Sequence, residues 1–218
     1  LKNRPQWYTV AKRSRTYVAK VLSSISGEYY KNYNVNRLIR RSNGIDLYYG
    51  DKSEFFSYDK VVLASHADQA LSIIDEPTKE EQEILSKFKY RENIAVIHTD
   101  ESIMPNNKDI WSSWNSSVDK NNVENNSITY WLNLLQNLDF NKNIFLTLNP
   151  NFKINEDKIL KKVNFTHPYF DQSALDNQDK LKNLQNKKNL LFCGSYFGYG
   201  FHEDGIKSSI EMIKAIDV

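Results

Sequence analysis

Apolar positions along this chain change period several times, and each change marks an element. Tyr17, Val18, Val21 and Leu22 sit at helical spacing, which predicts a helix from about Ser14 to Ser26, ended near Gly27. Tyr29 to Tyr33 reads as a short strand. Alternation follows: Val35, Arg37 and Ile39 are expected on one face of a strand over Asn34 to Arg41. Ser42-Asn43-Gly44 is a turn signal, because Asn-Gly takes positive φ readily. Ile45 to Tyr49 resumes as a strand, Gly50-Asp51-Lys52-Ser53 turns again, and Glu54 to Ser57 completes a meander of three short strands.

The pattern then shifts. Lys60-Val61-Val62-Leu63-Ala64 is a brief continuous apolar run, which predicts a strand buried on both faces. A helix starts at His66 to Leu71. Pro77 and Thr78 mark a boundary, with Thr78 capping a helix over Lys79 to Phe88 and Glu81 at the capping-box position. Strands are expected over Tyr90 to Asp100, Trp111 to Asn115, Ser127 to Trp131, Ile144 to Leu148 and Val163 to His167, the last stopped by Pro168. A polar loop joins the second and third of these, and Leu132 to Leu138 forms a short helix. Asp171 to Leu184 reads as one helix with Ala174, Leu175, Leu181 and Leu184 on or near one face. Asn189 to Cys193 is a buried strand. Asp204 to Ile216 places Ile206, Ile210, Ile213 and Ile216 at helical intervals. There is no internal repeat.

Composition narrows the classes. Of 218 residues, 40% are hydrophobic and 13% aromatic, enough for a packed core and against wholesale disorder. The net charge of +2 leaves no basic stripe for nucleic acid. Lys12-Arg13-Ser14-Arg15 and Arg40-Arg41 read as solvated clusters. The single cysteine, Cys193, excludes an internal disulfide and fits a reducing, cytoplasmic compartment. No apolar run approaches the ~20 residues of a membrane span, and Leu1 to Arg15 has no signal-peptide core. The chain opens at Leu1 rather than Met and reads as a piece of a longer protein.

One run carries candidate chemistry. Between Leu190 and Ser209 an apolar strand enters a cluster holding four of the seven glycines, Gly194, Gly198, Gly200 and Gly205, and an amphipathic helix leaves it. Glycine permits close approach of backbone to a ligand or a positive φ, and a helix N-terminus offers unpaired N–H groups. A plain turn with His202, Glu203 and Asp204 as cap residues explains the same pattern. It is neither GxGxxG nor GxSxG.

This run resembles the C-terminal FAD motif of the flavin-containing amine oxidase superfamily. The whole chain is similar to a bacterial group of NAD/FAD-binding, amine-oxidase-like proteins. The similarity runs through Trp7-Tyr8-Thr9-Val10, Val61 to Leu71, His98-Thr99-Asp100, Trp111 to Asn115, Thr129-Tyr130-Trp131, Thr147 to Pro150, His167-Pro168 and Gly198 to Gly205. The resemblance implies an α/β (α+β) fold: the C-terminal part of a glutathione-reductase-like FAD-binding domain, residues 1–76 and 186–218, with an inserted mixed-sheet substrate domain, residues 77–185. It implies FAD extended between the two. Val35 matches the position at the adenine, Ala64 and Ser65 the strand end by phosphate or ribose, Gly194 and Ser195 the pyrophosphate and ribityl chain, and Gly205 and Ile206 the helix start at the pyrimidine edge. The chain departs from the group at Lys12-Arg13-Ser14, where relatives carry Gly-Gly-Ser, and at Tyr196, where many carry Glu. The GxGxxG half of such a site is absent, so the missing N-terminal half of the same protein is the expected partner.

Other constellations are weaker. His98, Asp100, His167, Asp171, His202, Glu203 and Asp204 lack ligand spacing, so no metal is expected. Cys193 ends an apolar strand and reads as a small buried hydrophobe. His202 is the candidate proton carrier, with a capping role as its alternative. Trp111, Trp114, Tyr130 and Trp131 line an apolar pocket or fill core. The expected activity is hydride transfer from a small-molecule or lipid substrate to flavin, with an unsaturated or cyclopropane-type acyl chain preferred over an amine, and with peripheral membrane contact. The other readings are a non-catalytic fragment and a lipid-binding module that binds no FAD alone.

Overall fold

A computed structural model describes residues 6, 8–50, 54–119 and 122–216. Trp7 and most of the second predicted turn, residues 51–53, lie outside the described residues. The elements in chain order are α1 (Ser14–Ser24), β1 (Val35–Arg41), β2 (Gly44–Tyr49), β3 (Phe55–Tyr58), β4 (Val61–Leu63), α2 (Ala67–Ile73), α3 (Lys79–Leu85) and β5 (Lys89–His98). They continue with β6 (Trp114–Asp119), β7 (Asn122–Trp131), α4 (Leu132–Leu135), β8 (Phe145–Leu148), β9 (Ile159–Tyr169), α5 (Gln172–Gln178), β10 (Leu190–Phe192) and α6 (His202–Lys214). No helix among the described residues is long and apolar enough to cross a membrane.

Two compact units emerge: Leu1–Tyr29 with Glu92–Phe165, and Tyr30–Arg91 with Thr166–Val218. Two of the three breaks fall inside strands, after Arg91 in β5 and after Phe165 in β9, and the third follows Tyr29. The reason is burial: Ile84, Leu85, Phe88, Ala174, Leu181 and Leu184 share one core with Leu38, Leu63 and Phe192. Pro77-Thr78 opens a helix instead, with Thr78 Oγ1 accepting the Glu81 N–H at 3.2 Å and the Glu81 carboxylate accepting the Thr78 N–H at 2.7 Å.

The second unit holds the meander β1-β2-β3, antiparallel throughout, and a parallel pair of β10 with β4. Tyr29 to Tyr33 is irregular rather than a strand. A register shift between Val35 and Arg37 breaks the expected alternation. Val35 pairs with Tyr49 and Arg37 with Tyr48, so the two side chains point to opposite faces, and Leu38 is the fully buried residue of β1. β4 is not buried on both faces: Val61 and Leu63 are buried while Val62 is 42% exposed. The predicted helix over Asp171 to Leu184 is broken after Gln178 and finishes as a 3₁₀ turn at Leu181–Leu184, which sinks both leucines into the core.

The first unit is a five-stranded sheet, order β6-β7-β8-β5-β9, whose pairs β6·β7, β7·β8 and β8·β5 are antiparallel. β9 runs straight through Pro168, and its place at the edge of the sheet is where a residue without an N–H is tolerated. The apolar core here is small, Met104, Trp111 and Phe145.

Candidate functional site

The parallel pair sets the site. Leu190, Leu191 and Phe192 stand opposite Val61, Val62 and Leu63, so both strands end together and release Ala64-Ser65 and Cys193-Gly194-Ser195 side by side. Ligands of parallel α/β sheets bind outside such carboxyl ends. A groove of about 610 Å³ opens there, and Val35, Asn36, Ala64, Ser65, Gln69 and Ser72 are among its walls. Among the described residues, no charged side chain lines it.

Gly194 is required twice over. Its φ of +154° lies where side-chain-bearing residues are strained, and a Cβ would stand 2.8 Å from the Tyr196 ring. The same Cβ would lie 3.6 Å from the Ser65 carbonyl oxygen, which measures how closely the two strand ends approach. Gly198 is needed for another reason: a Cβ there would collide with the Asp204 carboxylate. That carboxylate accepts the N–H groups of Tyr199 at 3.0 Å and Phe201 at 2.9 Å, folding the glycine cluster onto the start of α6.

Helix α6 begins at His202, three residues before the Gly205 start that the resemblance implies, and the Gly205 N–H donates to Phe201 O at 3.2 Å. Its buried side chains are Ser208 and Met212. Ser208 Oγ accepts the Gly194 N–H at 3.0 Å and donates toward Gly205 O at 2.8 Å, tying the helix to the strand end. The isoleucine stripe points outward: Ile206, Ile210 and Ile213 are 58%, 52% and 51% exposed.

Of the sequence-predicted residues, Val35, Ala64 and Ser65 share the groove, Gly194 adjoins Ser65, and Gly205 faces Ser195, whose N atom would lie 3.9 Å from a Cβ built on Gly205. Ile206 and His202 are exposed on α6. The cap expected of His202, Glu203 and Asp204 is supplied by Asp204. Trp111 is core, packed edge-on against Trp131 and Phe145, whereas Trp114 is 61% exposed and lines a separate groove with Tyr8, Leu134 and Leu135. Among the described residues no three His, Cys, Asp or Glu side chains gather as a metal site.

Sequence reading missed several neighbours. His66 caps α2 beside Ser65 and stacks on Tyr90 at 4.2 Å, and Tyr90 Oη accepts the Ala67 N–H at 2.9 Å. Burial pushes the Tyr90 hydroxyl up to about 12, against the Ala67 hydrogen bond, which lowers it. Tyr196 is buried and, among the described residues, its hydroxyl has no hydrogen-bond partner; burial pushes it far above the ordinary tyrosine value. Both therefore stay phenols near neutral pH and neither serves as a base. Ser208 carried one faint signal, a small residue one turn beyond Gly205.

No protein-family model and no curated protein matches the chain. Solved structures do. The CLA-producing fatty acid isomerase from P. acnes is 14% identical over 94% of this chain and 52% of its own, with a TM-score of 0.64. A putative protoporphyrinogen oxidase from Exiguobacterium sp. 255-15 is 9% identical over 93% and 50%, with a TM-score of 0.66. Putrescine oxidase bound to putrescine is 9% identical over 94% and 52%, with a TM-score of 0.59. The chain thus spans about half the length of the structures it matches. At these identities the likeness is one of fold: the chain has the architecture of about half of each of these isomerase and oxidase structures.

Proposed function

We propose that this chain forms the closing half of the flavin site of an FAD-dependent oxidoreductase. The observation that carries the reading is the convergence of Ala64-Ser65 and Gly194-Ser195 at the ends of two parallel strands, with Gly205 behind them. Gly205 supports the fit. A glycine inside a helix costs about 1 kcal/mol relative to alanine, yet a Cβ at 205 would meet nothing nearer than Ser195 N at 3.9 Å. The chain's own packing does not demand glycine there; a planar ligand lying close to the helix does. In this reading Val35, Ala64 and Ser65 hold the uncharged adenosine end, consistent with walls that carry no charge, and Gly194, Ser195 and Gly205 lie along the phosphate-to-ring end.

Bound there, FAD would supply the hydride acceptor, and Gly194, Ser195 and Gly205 would be the residues holding its phosphate-to-ring end. The chain's residues position and shield that exchange, and His202, exposed at the first position of α6, is the candidate to move a proton. An apolar substrate is preferred over an amine. Among the described residues, the groove of about 570 Å³ beside Trp114 and Leu134 has no charged wall to hold an ammonium group, and one structural neighbour is a fatty acid isomerase.

The test is co-expression of the chain with the polypeptide encoded upstream of Leu1, followed by absorbance spectroscopy of the purified product. A flavin spectrum is expected, and Gly205→Leu is expected to remove it while leaving the circular dichroism of the folded product intact. A colourless product after FAD addition sinks the flavin reading. Retention of flavin by the leucine variant sinks the role of Gly205.

A further inference from the structure

Two helices carry exposed apolar stripes, and their charges differ. On α6 the exposed Ile206, Ile210 and Ile213 sit among both signs, with Lys207 paired to Glu203 at 3.5 Å and Lys214 paired to Glu211. On α1 only one sign is present. From Lys12 to Gly27 the chain holds Lys12, Arg13, Arg15 and Lys20 and no aspartate or glutamate. Among the described residues none of these four makes an ion pair. No residue of α1 is buried, and Tyr17, Val18, Val21 and Ile25 are exposed. A helix of 11 residues is marginal in water when nothing covers its apolar face.

The charges border the stripe. Projected at 3.6 residues per turn, Tyr17, Val18, Val21 and Leu22 fall within an arc of about 140°. Arg15 lies just past the Leu22 side of that arc and Lys20 past the Tyr17 side, while Thr16, Ala19 and Ser23 lie opposite. Long cationic side chains at such borders lay their stems along apolar surface and send their heads to a polar layer. The turn before the helix adds two more cations. Lys12 and Arg13 hold φ of +60° and +68°, the left-handed region that glycine occupies without cost. The Arg13 N–H donates to Val10 O at 2.9 Å and closes that turn. Backbone geometry alone favours glycine at both positions, and the chain places charge there instead.

We infer that α1 and the Lys12-Arg13 turn dock this chain on an anionic phospholipid bilayer. The helix lies in the plane of the interface, with Val18, Val21, Leu22 and Ile25 in the acyl boundary and Tyr17 at headgroup level. Arg15 and Lys20 meet headgroup phosphates from either side, and Lys12 and Arg13 add to the attraction of anionic lipid. Charge selects the occupant. An apolar protein face laid on the stripe leaves four unpaired cations at its rim, whereas an anionic bilayer takes up the stripe and neutralises all four. The groove beside Trp114 begins at Tyr8 and Thr9, shortly before Ser14 in the chain and in the same compact unit. The docked helix therefore holds that groove near a supply of acyl chains. This last link rests on the apolar-substrate reading above; the docking does not.

The experiment is flotation of the 218-residue chain with vesicles of phosphatidylcholine alone or mixed with phosphatidylglycerol. Binding to the anionic vesicles is expected, weaker by roughly tenfold or more on neutral vesicles or at about 1 M salt. The combined variant Lys12→Gln, Arg13→Gln, Arg15→Gln and Lys20→Gln is expected to bind the anionic vesicles roughly 100-fold more weakly, at about fivefold per cation. Val18→Ser with Val21→Ser tests the stripe by itself, with a loss of roughly tenfold. All of these positions are exposed, so both variants keep the circular dichroism of the chain in solution. A polarity-sensitive fluorophore on Val21→Cys is expected to shift to the blue on anionic vesicles; Cys193 is buried and stays unlabelled. Ile210→Asp with Ile213→Asp, on α6, is expected to leave vesicle binding unchanged. No binding to anionic vesicles, equal binding to neutral ones, an unshifted label, or unchanged binding by either α1 variant overturns the docking. So does a complex with another protein that shields the label and abolishes vesicle binding, which assigns the stripe to a protein partner. A chain that floats but whose FAD-treated product is colourless keeps the docking and removes the flavin reading. A floating, flavin-containing product reduced by a water-soluble amine and not by acyl lipid keeps the docking and removes the link to acyl supply.

Discussion

The interiors of the two units are built on different principles. The unit containing the strand ends buries sixteen side chains in one apolar cluster from Leu38 to Tyr196. Among the described residues the apolar cluster of the sheet unit is Met104, Trp111 and Phe145, and a polar row runs across the unit's middle strands. There the Asp100 N–H donates to His98 Nδ1 at 3.2 Å. A backbone N–H can only donate, so the His98 proton sits on Nε2, which donates to Thr147 Oγ1 at 2.8 Å; Thr147 in turn meets Thr129 Oγ1 at 2.8 Å. Asp100 is itself buried, accepting from Ser102 and the Asn155 N–H and pairing with Lys158 at 3.2 Å. An apolar core tolerates local error by loss of area, whereas a buried polar row fails when any one partner is removed.

The largest effect expected is in the apolar unit. Phe192→Ala removes a fully buried ring beneath the strand ends and should cost about 3–5 kcal/mol in urea unfolding followed by circular dichroism. A loss near zero would mean that this cluster does not hold the unit together. The next is in the sheet unit. Thr147→Val keeps the shape but leaves the His98 Nε2–H without its acceptor, at a cost of about 1–3 kcal/mol. Tryptophan fluorescence follows this one selectively, since Trp7, Trp111, Trp114 and Trp131 all fall in the sequence of that unit. A neutral result would show that the row is incidental.

The smallest effect is a pH dependence confined to the sheet unit. Burial depresses the His98 pKa, opposed by the nearby Asp100 charge. Below about pH 6.5 the unfolded histidine therefore binds more protons than the folded one, and stability falls as the pH is lowered. Burial acts to raise Asp100, but hydrogen bonds from Asn155 and Ser102 and the Lys158 ammonium outweigh it and hold the carboxyl well below its usual range. Its contribution is present above about pH 4 and is lost below that. Two successive declines in fluorescence-detected stability are expected, and His98→Gln should abolish the first. A flat profile between pH 7 and 5 would break the contrast between the two interiors.

Where an element is specified by its neighbours in sequence, the chain was readable. Thr78 and Glu81 are three residues apart and cap α3 as expected, and the meander follows from the Asn43-Gly44 turn and its flanking alternation. The glycine cluster announced a close approach to a ligand or a positive φ, and Gly194 takes the positive φ. The break after Gln178 was not readable. Gln178 Nε2 donates to Gly198 O at 2.6 Å, twenty residues away, and the gain comes from burying Leu181 and Leu184 in a core assembled from distant segments. The His98 row joins strands separated by 49 and 18 residues, and no local period predicts that meeting.

By itself, then, the sequence determined the local elements and the place where a parallel strand runs through glycines into a helix, because propensity, capping and turn chemistry act over a few residues. Which face of that helix is buried was decided only by tertiary structure. The isoleucines have the periodicity of a core stripe, yet Ser208 and Met212 occupy the inner face, because Ser208 satisfies the Gly194 N–H and Met212 packs on Leu191 and Cys193. Close approach of helix to strand end favours the small hydroxyl over a branched side chain, and the isoleucines are left for whatever covers the other side.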